Sequence, residues 1–127
     1  MQKQIVYSDN APKPIGPYSQ AVISGGFLFA SGQIAIDPES GNLVVDNIES
    51  ETKQVMKNIG VVLTAANLSF KNIVKTSIFL KNMDDFAKVN EVYATYFESD
   101  FPARETVQVA KLPKDVNVEI SITATMQ

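Results

Sequence analysis

The stretch Val116-Asn117-Val118-Glu119-Ile120-Ser121-Ile122-Thr123-Ala124-Thr125 alternates apolar and polar side chains from end to end. A period of two sends successive side chains to opposite faces of a strand. Val116, Val118, Ile120, Ile122 and Ala124 therefore share a core-facing side, and Asn117, Glu119, Ser121, Thr123 and Thr125 share the other. The run before it, residues 104–110, reads as a partner strand, joined through Leu112-Pro113-Lys114-Asp115. As a hairpin, this pair groups Val107 and Val109 with the apolar set, and Arg104, Thr106 and Gln108 with the polar one. A turn centred on Pro113 and Lys114 would put Arg104 and Glu119 on one face, at a separation the register leaves open. A row of small polar groups on a sheet face means solvent, a subunit interface or a wet cleft.

Upstream, Gln20-Ala21-Val22-Ile23-Ser24 and Phe27-Leu28-Phe29-Ala30-Ser31 flank Gly25-Gly26. Two β-prone runs around a Gly-Gly pair predict a tight hairpin, with Gly32 closing its second arm. Residues 4–8 read as a short first strand, and 10–17, with three prolines and Gly16, as a kinked loop. Ile48, Thr52, Val55, Ile59, Val62, Leu63 and Ala66 recur at helical spacing. Asp46 or Asn47 caps that helix, Glu49 and Glu51 suit the positive end of its dipole, and Asn67 is a left-handed stop. Residues 73–80 read as a strand with Val74, Thr76, Ile78 and Leu80 on one face. A second helix over about 84–98 presents Phe86, Val89, Tyr93, Tyr96 and Phe97. The order β-β-β-α-β-α-β-β predicts an α+β fold: one domain over 1–127, a sheet with two helices packed on one face.

Composition narrows the chemistry. A chain of 127 residues, 45% hydrophobic, holds one core without staples. It has no His and no Cys, so a Ser-His-Asp triad, a Cys nucleophile, a thiolate zinc site and a His-bound metal are all excluded. Net charge is −3 and the ten Lys are scattered, which speaks against a nucleic-acid partner. No signal-like or membrane-spanning stretch stands out, and the expected location is the cytoplasm. Any catalysis must come from carboxylates, hydroxyls, Lys, backbone groups and Arg104, the single Arg of the chain.

Four segments then become recognisable together: Ile15-Gly16-Pro17-Tyr18-Ser19-Gln20; Ala30-Ser31-Gly32-Gln33-Ile34; Val89-Asn90-Glu91-Val92-Tyr93; and Phe97 through Pro102-Ala103-Arg104 to Leu112-Pro113-Lys114-Asp115 and Val118-Glu119-Ile120. In order and spacing they resemble the Rid/YjgF family of imine and enamine deaminases. The resemblance implies a fold like that of chorismate mutase from bacilli, with a mixed sheet and two helices packed on one face. It also implies a homotrimer whose sheets meet in a central barrel, with clefts between subunits. It gives Arg104 the role of holding a substrate carboxylate and Glu119 that of positioning water. Tyr18, Ser31, Gly32, Asn90 and Thr106 match further substrate-binding positions. Many members have Cys where Thr106 stands and a second Glu where Ser121 stands, which leaves the preferred substrate open.

The implied chemistry suits the residues. A 2-imino acid carries a carboxylate beside an electrophilic carbon, and Arg grips a carboxylate with a planar fork. Water must add to that carbon, and a carboxylate such as Glu119 can orient the water and take its proton. No cofactor and no metal are implied. The expected function is hydrolysis of small 2-imino acids (2-iminopropanoate with its enamine 2-aminoacrylate, and 2-iminobutanoate) to 2-oxo acids and ammonia. The alternative is a non-catalytic, small-carboxylate-binding regulatory trimer. On composition alone, Arg104 would be a surface ion pair and Glu119 a solvated side chain.

Overall fold

The computed structural model describes residues 2–127; Met1 lies outside the described residues. Six strands and two α-helices follow the expected order: β1 (Gln4–Val6), β2 (Ala21–Ser24), β3 (Phe27–Gln33), α1 (Ile48–Ala65), β4 (Ile73–Leu80), α2 (Phe86–Ala94), β5 (Ala103–Gln108) and β6 (Val118–Thr125). They form one sheet in the order β1-β2-β3-β6-β4-β5. All neighbours are antiparallel except β4 and β5, so the sheet is mixed.

Local chemistry explains the elements. Gly25 and Gly26 both take positive φ (63° and 84°), as the tight β2–β3 turn requires. Asn47 caps α1, its side chain accepting from the Ser50 amide at 2.8 Å. Asn67, at φ 60°, follows the helix end in the left-handed region. The apolar stripe of α1, through Val55, Met56, Ile59, Val62 and Leu63, packs on Val118, Ile120, Ile122 and Ala124 of β6, and all are buried. The alternation that opens the sequence reading is thus the midline of the core.

Four expectations change. β5 and β6 are not a hairpin. β5 pairs parallel with β4 at the sheet edge, and β6 inserts between β3 and β4. The inner residues of β6 are fully apolar and need cover on both flanks, whereas Ala103-Arg104-Glu105-Thr106-Val107-Gln108 is polar and mostly exposed, a composition that suits an edge. α2 serves as the crossover that brings β5 back parallel to β4. In consequence Arg104, Thr106 and Gln108 pair with Thr76, Ile78 and Leu80 on the helix-covered face, and Val107 turns outward.

On β4, a register shift between Ile73 and Lys75 puts Ile73 inside and leaves Val74 exposed. The second helix is shorter than expected. A 3-10 turn, Met83–Asp85, precedes it, and it stops at Ala94, although Tyr96 and Phe97 still pack on the core. β3 does not close at Gly32 but runs on to Gln33, with an irregularity between Ala30 and Gln33 in its pairing with β6. Among the described residues, no helix is long and apolar enough to cross a membrane.

Candidate active site

The sequence-predicted residues gather in two hollows. The first holds Tyr18, Ser31, Gly32 and Glu119, has a volume of about 320 Å³, and is also lined by Lys13 and Ile15. Glu119 reaches it from the open face of β6, opposite Phe79 of β4. The carboxylate lies directly over the β3 irregularity. A Cβ added at Gly32 would fall 2.8 Å from Glu119 Cδ and overlap the carboxylate oxygen, so only glycine leaves room for it. Half-burial raises the Glu119 carboxyl above its ordinary pKa of 4.5.

The other groups of this hollow are tied from behind. Ser31 Oγ donates to the Ser19 carbonyl at 2.6 Å, and its amide donates to Gln20 O at 2.9 Å. Ser31 therefore offers a ligand its oxygen lone pairs and not its hydroxyl proton. Tyr18 OH accepts from the Ile15 amide at 3.3 Å, which leaves its proton free to donate outward. Buried Gln20 anchors the loop that carries Tyr18. It donates to the Ser8 and Pro12 carbonyls at 3.0 Å each and accepts from the Ser8 amide at 2.7 Å. Buried Asn58 of α1 donates to the carbonyls of Ile34 (3.1 Å) and Ile36 (2.9 Å), fixing the chain just after β3.

The second hollow, of about 520 Å³, is lined by Asn90, Tyr93, Ala94, Phe101, Pro102 and Arg104. Arg104 Nη1 donates to Asn90 Oδ1 at 2.7 Å. Its guanidinium carbon stands 5.2 Å from the Tyr93 ring centroid and 5.7 Å from that of Phe86. Tyr93 is itself fixed, its hydroxyl 2.9 Å from Thr76 Oγ1. Burial raises the Tyr93 pKa, outweighing the Thr76 hydrogen bond and the Arg104 charge, so the ring stays neutral. The ion pairs among the described residues are Lys75–Glu105 and Lys81–Asp115. Arg104 is thus oriented by an amide and two rings, and among the described residues no acid pairs with it. Its charge faces an open hollow.

Within one chain Arg104 and Glu119 are therefore not neighbours. They lie on opposite faces of the sheet, which corrects the expectation drawn from a β5–β6 hairpin. Thr106 lines neither hollow. Its hydroxyl is buried beside Ile78 and has no hydrogen-bond partner among the described residues. Gln20, Asn58 and the Phe86 and Tyr93 platform escaped the sequence reading. Asn58 carried a signal, since it falls on the apolar stripe of α1 where a polar residue needs a buried partner.

The family model described as Endoribonuclease L-PSP, which covers the YjgF and Rid proteins, matches residues 8–126. The chain belongs to the Rid/YjgF family. A RutC family protein of Pyrococcus horikoshii is 52% identical over 122 residues, covering 96% of this chain and 97% of that one. The human 2-iminobutanoate/2-iminopropanoate deaminase is 47% identical over 122 residues, covering 96% and 89%. Among solved structures of the Rid/YjgF family, the Escherichia coli YjgF gene product superposes with a TM-score of 0.93 at 38% identity, covering 98% and 99%. Escherichia coli TdcF with bound serine gives 0.92 at 38% identity, covering 96% and 98%.

Proposed function

We propose that this Rid/YjgF protein hydrolyses 2-imino acids, such as 2-iminopropanoate and 2-iminobutanoate, to 2-oxo acids and ammonia. The observation that carries the reading is Arg104, the one guanidinium of the chain, held by Asn90 and two rings beside an open hollow and, among the described residues, paired with no acid. A free, oriented fork of this kind is a receptor for a small carboxylate. The mammalian deaminase names among the relatives support the substrate, and serine bound to TdcF fits a site for small amino-acid-like ligands.

The reaction also needs Glu119, which lies across the sheet. A homotrimer brings the two together by setting the Arg104 hollow of one protomer against the Glu119 hollow of the next. The open sheet face supports such packing. It carries exposed Phe27 and Phe29 beside a row of hydroxyls at Ser121, Thr123 and Thr125. In the joint cleft, Arg104 holds the carboxylate and directs the C=N carbon toward a water on Glu119. The Glu119 carboxylate accepts the water proton as oxygen bonds to carbon. That proton passes to nitrogen and leaves a carbinolamine. Glu119 then takes the carbinolamine hydroxyl proton and delivers it to nitrogen as the C=O bond forms, the C–N bond breaks, and ammonia leaves beside the 2-oxo acid. A base held above its ordinary pKa is better matched to this proton transfer than a fully solvated carboxylate. No step calls for a cofactor or a metal.

The test is coupled turnover. A dehydratase generates the imine, and loss of the imine or release of ammonia is followed with and without this protein. Arg104→Ala should abolish the acceleration, and Arg104→Lys should lose most of it. If parent and Arg104→Ala perform alike, the proposal is wrong. Carboxylate binding without turnover would leave the regulatory trimer as the better reading.

A further inference from the structure

Glu51 is a carboxylate with no exposure at all, and no cation pairs with it among the described residues. A buried charge normally requires compensation. Here backbone and amide donors from a segment far along the chain supply it. Glu51 Oε2 accepts from the Asn117 amide at 2.7 Å and the Val118 amide at 3.2 Å, and Oε1 accepts from Asn117 Nδ2 at 2.7 Å. Its place in the first turn of α1 adds the positive end of the helix dipole. The residue after Val118 is Glu119. We infer that Glu51 is a positioning residue for the deaminase reaction, locking the first residues of β6 so that the Glu119 carboxylate stands over Gly32.

The inference rests on the proposed imine hydrolysis and adds a residue to it. The geometry favours a role beyond general stability. The segment held by Glu51 is the entry to a strand, reached directly after the 3-10 turn Pro113–Asp115, where Lys114 and Asp115 take positive φ. On its far side the Asn117 carbonyl accepts from the Lys81 amide at 3.0 Å, so the turn is gripped from both β4 and α1. Release of the α1 grip would let the peptide before Glu119 rotate. A displacement on the order of 1 Å at a reacting group costs on the order of a hundredfold in rate.

The test compares Glu51→Gln, Glu51→Ala and Asn117→Ala with the parent by steady-state kinetics and by carbon NMR titration of the Glu119 carboxyl. Lys13 and Tyr18 are the other titratable groups lining the hollow, and both are retained in every variant. Glu51→Gln keeps an acceptor for the two backbone amides and should hold kcat within about threefold, whereas Glu51→Ala should lower it by roughly ten- to a hundredfold. KM should stay nearly constant, because Arg104 is untouched. In Glu51→Ala the Glu119 midpoint should fall toward its ordinary value as water reaches the freed carboxylate. A folded Glu51→Ala protein with parental kcat and midpoint overturns the inference, even if it melts earlier. If that variant does not fold, Asn117→Ala, which removes one of the three bonds, should show the same changes in weaker form, and their absence is decisive. If the parent itself turns over no imine, the proposed function has failed, and the NMR midpoint alone decides the role of Glu51.

Discussion

Arg104 and Glu119 point from opposite faces of one sheet, on strands with β4 between them. If Arg104 receives the carboxylate and Glu119 orients the water, as proposed, the two groups of one chain cannot serve the same substrate molecule. The proposed reaction makes strong demands on assembly.

Mixing two inactive variants should restore activity. Arg104→Ala retains a sound Glu119 hollow, and Glu119→Gln retains a sound Arg104 hollow. Co-refolded at equal amounts, they should recover about a quarter of parental turnover, since each composite cleft needs one intact half from each neighbour. Mixing without subunit exchange should recover nothing. Full inactivity after verified exchange would show that both groups act within one chain.

In the proposed reaction the Glu119 carboxyl, raised by burial, sets the pH dependence. Its charged form takes the proton, so kcat/KM should fall on the acid side with a midpoint above 4.5. The stability effect runs against activity. Between the unfolded and the raised folded value the native chain binds more protons than the unfolded chain, so stability declines as pH rises through that window. Glu119→Gln should lose turnover yet melt no lower than the parent at pH 7. Any gain should vanish below the unfolded value. Thermal melts at several pH values check the sign.

Gly32→Ala should separate function from folding. The new methyl would overlap the Glu119 carboxylate, which sits at the far end of a flexible side chain and can swing away. We expect a stability loss at the low end of the 1–3 kcal/mol typical of overpacking. Turnover should drop at least tenfold, because the carboxylate leaves its station. Circular dichroism melts beside kinetics would show the split.

Asn90→Ala removes the one hydrogen bond that the Arg104 guanidinium makes among the described residues while leaving both rings. A charged hydrogen bond contributes about 1.5 kcal/mol or more, so KM for the imine should rise roughly tenfold with little change in kcat. A rise in kcat loss without a KM effect would assign Asn90 to the chemistry instead.

Much of this was legible in the sequence. The Gly25-Gly26 hairpin, the Asn47 cap and the inner face of β6 follow from turn chemistry, capping and a period of two, which are local. The pairing of β5 was not legible, because nothing in residues 103–108 says whether the next strand or the previous one lies alongside. The polar edge composition was the available clue. The site residues came from motif resemblance, and their division between two faces came only with the topology. Glu51 suits the helix dipole, and a charge at the apolar spacing of Ile48 and Val55 also signals a buried acceptor. The family resemblance places Thr106 at the substrate; in the single chain the parallel pairing turns its hydroxyl into the interior.

The Arg104 guanidinium is oriented by an amide and two aromatic rings and, among the described residues, by no acid. Such a receptor does not distinguish sharply among small anions. Sulfate, phosphate or a crowded pool of cellular 2-oxo acids would compete for the same fork, so product build-up should slow the protein before substrate runs out. Rates measured in phosphate buffer would then understate those in a weakly coordinating one.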